Sequence, residues 1–193
     1  MTSITTRLAA AVIACVAVPA LLAGCTGPTT TTDVGEPVVA SDSWSESTTG
    51  SAPGAGSCEL DHGDEGTRPD ASCTPGAVTS EISPADPSVV CRESAGGEIN
   101  ESVRSAVLSA YGIENEDAPR YRVDYLVPRQ LGGANDFANL WPMPESDPSA
   151  TTKAQTDAAV ADAVCGGRAG IQAAQYAIAH NWTTALTVLG LGG

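Results

Sequence analysis

The sequence predicts a small, disulfide-bonded α+β domain behind a leader and a spacer, and three observations carry that expectation. A β-rich run at 121–127 is stopped by Pro128, and a glycine-rich reversal then leads into a second extended piece, Asn139-Leu140-Trp141. Three other segments repeat apolar residues at helical spacing. Four cysteines, Cys58, Cys73, Cys91 and Cys165, lie beyond the leader and its junction, an even number that suits an oxidising compartment.

Taken in order, residues 1–24 read as a leader: Arg7 supplies the positive start, and 8–22 is almost wholly apolar. That run is short of the about 20 apolar residues that a membrane span needs. Leu22-Ala23-Gly24-Cys25 is similar to the lipobox of bacterial lipoproteins, which implies lipidation at Cys25. The expected location is therefore the cell membrane, lipid-anchored and facing outside the cytoplasm. Residues 25–57 are rich in Thr, Ser, Gly and Pro and poor in large apolar residues. Such a stretch cannot bury enough surface to offset its chain entropy, so it reads as a flexible tether, with Trp44 its one large aromatic.

Composition constrains the partners. The chain has 23 acidic and 9 basic residues, a formal net charge of −14. Nucleic-acid binders draw most of their affinity from basic groups on phosphate, and no basic cluster is visible here, so a nucleic-acid partner is disfavoured. Four cysteines allow three pairings; Cys58–Cys73, closing a local loop, and Cys91–Cys165, tying the domain's start to its last helices, are favoured. Within 58–73, Asp61-His62-Gly63-Asp64-Glu65 lacks the regular ligand spacing of a calcium loop and reads as a solvated acidic loop.

Residues 74–193 form the expected globular domain. Asn100 can cap a helix over 100–111 whose first turn suits Glu101, whose Val103, Val107, Leu108 and Tyr111 share a face, and which ends at Gly112. The alanine-rich segment 149–164 is a second helix, with Ala154, Ala158, Ala161 and Val164 or Cys165 as expected core positions and Gly166-Gly167 as its stop. A third helix over 171–179 presents Ile171, Ala174, the stem of Gln175 and Ile178; Trp182 follows as a core plug.

The central stretch YRVDYLVPRQLGGANDFANLWPMP, residues 121–144, resembles the ββα-metal core of HNH endonucleases, which commonly read D-H-L-I-P-x-x-L-G-G-x-x-D-x-x-N-L-W-P. The likeness extends on both sides. Thr74-Pro75-Gly76-Ala77 with Val90-Cys91 resembles the opening of secreted actinobacterial members, and 174–182 resembles their A-Q-x-A-I-A-x-x-W ending. Those enzymes hydrolyse phosphodiesters with one divalent metal and a histidine base. The resemblance implies Asp124 as metal ligand, Tyr125 where the base histidine stands, and Asn139 as the middle asparagine that orients the loop. It places Ala161 where a second histidine is expected. A phenol with a reference pKa of about 10 is a poor base at neutral pH. His62 and His180 fall outside the matched catalytic positions. An isolated Asp124 could equally serve structure, accepting hydrogen bonds from the Gly132-Gly133 loop.

The resulting expectation is a membrane-anchored surface lipoprotein with an inactive HNH-like domain. It would act by binding, with an unknown protein partner and no cofactor. The alternatives are a secreted metal-dependent endonuclease with an atypical base, for which a divalent metal would be the cofactor, and a prophage-type exclusion or immunity lipoprotein.

Overall fold

A computed structural model describes residues 39–40, 52–79, 91 and 99–192. Cys25, Trp44, Val90, the expected leader and most of the expected spacer lie outside the described residues. The chain divides into units 1–33 and 34–193, and every described residue belongs to the second.

The fold is mixed α+β. Its centre is an antiparallel ribbon of β5 (Tyr121–Tyr125) and β6 (Leu140–Pro144), in register from Tyr121 opposite Pro144 to Tyr125 opposite Leu140. Sequence reasoning gave the second extended piece as Asn139-Leu140-Trp141, closed by Pro142 and Pro144, whereas the strand runs through both prolines. Glu145 N–H donates to the Arg120 carbonyl and Leu126 N–H to the Asn139 carbonyl. Those bonds make the Tyr121–Pro144, Val123–Pro142 and Tyr125–Leu140 pairs the non-hydrogen-bonded ones. Both prolines therefore sit where a strand N–H would point away from the partner, and neither costs the ladder a bond.

Between the strands, the 3-10 turn Arg129–Leu131 ends at Gly132, whose φ of 77° is left-handed. Gly133 is needed for a different reason: a Cβ there would sit 1.8 Å from the Val127 carbonyl oxygen. A second 3-10 turn, Phe137–Asn139, is capped by Asp136 and feeds β6. The side chain of Asn139 ties this loop shut. It accepts from Val127 N–H at 2.8 Å and donates to the carbonyls of Val127 at 2.9 Å and Ala134 at 3.0 Å. β4 (Val78–Thr79) lies against the loop, with Ala134 N–H on the Ala77 carbonyl and Thr79 N–H on that of Gly132.

Among the described residues, the helices flank the ribbon. α1 (Glu101–Ala110) starts where expected, with the Asn100 side chain accepting from Val103 N–H, and Gly112 at φ 68° follows it. Arg104 reaches from α1 to the carbonyls of Ala118 and Tyr121, fixing the start of β5. α2 (Ser149–Cys165), α3 (Ile171–Asn181) and the short α4 (Ala185–Val188) close the main core with Trp141, Met143, Leu131 and Trp182. Trp141 and Trp182 are fully buried. At about 25 cal/mol per Å² each contributes at most roughly 4–6 kcal/mol of burial.

Two bridges pin the periphery, Cys58–Cys73 and Cys91–Cys165, with Cα atoms 6.0 and 5.6 Å apart. The segment inside the first is more ordered than the acidic loop expected. β2 (Asp61–Gly63) and β3 (Gly66–Arg68) form a hairpin. The hairpin is anchored by Trp182 Nε1 donating to the Thr67 carbonyl at 3.1 Å and by Thr67 N–H donating to Ser149 Oγ. The stretch expected to be a tether also contains β1 (Val39–Ala40), which pairs in parallel with β4. Val39 is β-branched, and such residues suit a strand.

Candidate cleft between the ribbon and helix α2

The end of β5, the turn that begins at Pro128 and helix α2 line a cleft of about 590 Å³. Asp124, Tyr125 and Ala161, all singled out by sequence, line this one cleft. Asp124 is partly buried. It accepts from its neighbour's N–H, that of Tyr125, at 3.0 Å and from Arg122 at 3.2 Å. The structural role considered for it, holding the Gly132-Gly133 loop, is not the observed one. The Gly132 and Gly133 amides donate to the carbonyls of Arg129 and Pro128 instead, because that turn is closed by its own backbone.

Tyr125 donates its phenol to Asn135 Oδ1 at 2.9 Å, and the Arg129 guanidinium stands over its ring, 5.7 Å from the centroid. Burial raises the phenol above its ordinary range, and the opposing pull of Arg129 does not cancel that rise. With its pKa raised, the phenol is still less ionised near neutrality and so less available to accept a proton. Asn139 is fully buried and belongs to the loop rather than to the cleft wall.

Sequence reasoning missed one feature, the pair Lys153–Asp157. Lys153 is fully buried. Its ammonium donates to Asp157 Oδ2 at 2.5 Å and to the Tyr125 carbonyl at 3.3 Å, clamping α2 onto the end of β5. Burial pushes the Asp157 carboxyl up to about 6, against the pull of Lys153 and with a further push from Asp124. Its Oδ1 is buried with no hydrogen-bond partner. The signal was legible in principle, because Lys and Asp four apart on a helix face one another.

That clamp also corrects the expected face of α2. The buried residues are Ser149, Ala150, Lys153, Thr156, Val160, Ala163 and Val164. Ala154 and Ala158 are exposed and, with half-buried Ala161, line the cleft; Cys165 is exposed at the bridge. Counting alanines as apolar placed the stripe one residue out of phase, since the longer Lys153 stem and Val160 bury more surface.

The two histidines lie elsewhere. His62 and His180 both line a separate cleft of about 550 Å³ between the β2–β3 hairpin and the end of α3. His62 Nδ1 is held by Thr67 Oγ1 at 3.1 Å, and the Thr67 hydroxyl donates to Asp147. His180 stacks on Tyr176. A larger cleft of about 870 Å³ along α1 places Glu101, Glu114 and Glu116 around Arg104, whose guanidinium is already spent on backbone carbonyls.

Among the described residues, no cluster of three His, Cys, Asp or Glu side chains is placed to hold a metal ion. The two cleft carboxylates nearest such a role, Asp124 and Asp157, are already engaged by Arg122 and Lys153. This donor set does not fit a divalent metal without breaking both ion pairs. No helix among the described residues is long and apolar enough to cross a membrane. No protein-family model, curated protein or solved structure matches the chain.

Proposed function

We propose that the protein is a lipid-anchored, extracytoplasmic binding protein whose β5–loop–β6–α2 unit is an HNH-like scaffold without its catalytic imidazoles. One observation carries this reading. The positions where that family places its metal ligand, base and second histidine converge on one cleft as Asp124, Tyr125 and Ala161, while both histidines of the chain line another. The two disulfides suit a compartment outside the cytoplasm. The anchor rests on the lipobox ending at Cys25.

The test is plasmid DNA incubated with the purified protein and Mg²⁺ or Mn²⁺. General-base assistance is worth typically about 10²–10⁴-fold, so no nicking above background is expected. Metal-dependent nicking that Asp124→Ala abolishes would make the protein an enzyme. One observation favours that second reading: Asp157, with its carboxyl raised to about 6, stands close enough to Asp124 to feel its charge. It is a better-placed base than the Tyr125 phenol. The anchor has its own check, since Cys25→Ser is expected to leave the membrane fraction or to accumulate as precursor.

A further inference from the structure

The charges around the α2 cleft pair off and leave two over. Asp124 is neutralised by Arg122 and Asp157 by Lys153. Arg129 and Asp162 line the same cleft, and neither has an ionic partner among the described residues. They stand on different walls, Arg129 on the turn that follows β5 and Asp162 on α2. Arg129 Nε is buried with no hydrogen-bond acceptor, so the guanidinium has donor capacity unspent although its face rests on Tyr125. Besides these charges the cleft is lined by small or apolar groups, Pro128, Ala154, Ala158, Ala161 and the Tyr125 ring, and by the amide of Gln130.

In a chain of net charge −14, a cleft with balanced charge and one free group of each sign selects its occupant. With Asp124 and Asp157 already paired, a simple anion would satisfy Arg129 but leave Asp162 without a partner, and a simple cation would satisfy Asp162 but leave Arg129 without one. We infer that the cleft takes a small zwitterion, an α-amino acid or a short peptide with small apolar side chains, its carboxylate on Arg129 and its ammonium toward Asp162. A guanidinium presents paired donors that match a carboxylate. The alanine wall leaves room for methyl-sized side chains. The volume of about 590 Å³ falls within the roughly 300–1,000 Å³ of small-ligand sites. This inference rests on the binding reading above and specifies its ligand class.

Calorimetric titration of the purified full chain at low ionic strength tests it, with alanyl-alanine, its N-acetyl form, its carboxamide, L-alanine and inorganic phosphate as probes. Alanyl-alanine or L-alanine is expected to bind, and each blocked form to bind at least about tenfold more weakly. Asp162→Asn should remove the preference for the free amine, and Arg129→Gln the preference for the free carboxylate. Arg129→Lys, which keeps the charge, should retain that preference and serves if the glutamine variant does not fold. Equal heats from all forms of the dipeptide, no heat at all, or tighter binding of phosphate than of either zwitterion would overturn the inference. Nicking of plasmid by the same preparation would instead overturn the binding reading on which it rests.

Discussion

Asn139 shows how one side chain can hold a loop without entering the cleft beside it. Its amide fills a fully buried space with three hydrogen bonds to backbone groups of Val127 and Ala134. Asn139→Ala leaves the Val127 N–H unsatisfied away from water. A buried orphan costs about 1–3 kcal/mol beyond the bonds lost, so the total is expected near 3 kcal/mol. A urea midpoint unchanged from wild type would show that the loop is held by something else. Asp157 makes a different demand. Its carboxyl is raised from 3.8 to about 6, so the folded protein binds a proton more tightly than the unfolded chain. Stability from this group is therefore highest below about pH 4, falls as pH rises to about 6, and is level above that. Two pH units correspond to on the order of 3 kcal/mol. Asp70 and Asp147 are lowered by hydrogen bonds from Ser72 and Thr67 respectively, so their contribution is lost only as pH falls below the ordinary carboxylate range. Urea midpoints from pH 4 to 7 should thus fall more steeply for wild type than for Asp157→Asn. Parallel profiles would count against the buried-carboxylate account.

Elements differed in how readily the sequence revealed them. α1 was legible to its cap, because Asn100, Glu101 and the apolar spacing all agree with one another. The strand–loop–strand unit was legible through Pro128, Gly132, Gly133 and the Asn139-Leu140-Trp141 run. The bounds of β6 were not, since the rule that proline ends a strand depends on which side of the ladder its nitrogen faces. The β2–β3 hairpin was hidden because its strands are three residues long and mostly charged or glycine. The face of α2 misled because alanine is compatible with either side of a helix, while Lys153 buries a stem that composition counts as polar. Val160→Ala should therefore cost about 1–2 kcal/mol, and Ala158→Ser should stay within about 0.5 kcal/mol. Thermal denaturation of the two variants checks this, and a reversed order would restore the alanine stripe to the core.

At the scale of the molecule, the sequence made the α+β class and the disulfide content readable, and it brought three candidate positions to one cleft. It could not reveal charge balance inside that cleft, which depends on pairing Asp124 with Arg122 along β5 and Asp157 with Lys153 along α2. The longer bridge, Cys91–Cys165, spans 74 residues that include α1, both strands of the ribbon and nearly all of α2. Seen as a ring rather than as a staple, that span alters what a protease can achieve. A single cut between residues 91 and 165 opens the ring but severs nothing: the part bearing the amino terminus and the part bearing α3 remain one covalent body. If the amino terminus is lipid-held, the nicked domain stays at the membrane. Limited proteolysis in that span should leave one band on a non-reducing gel and two on a reducing gel; release of a fragment without reductant would contradict the ring.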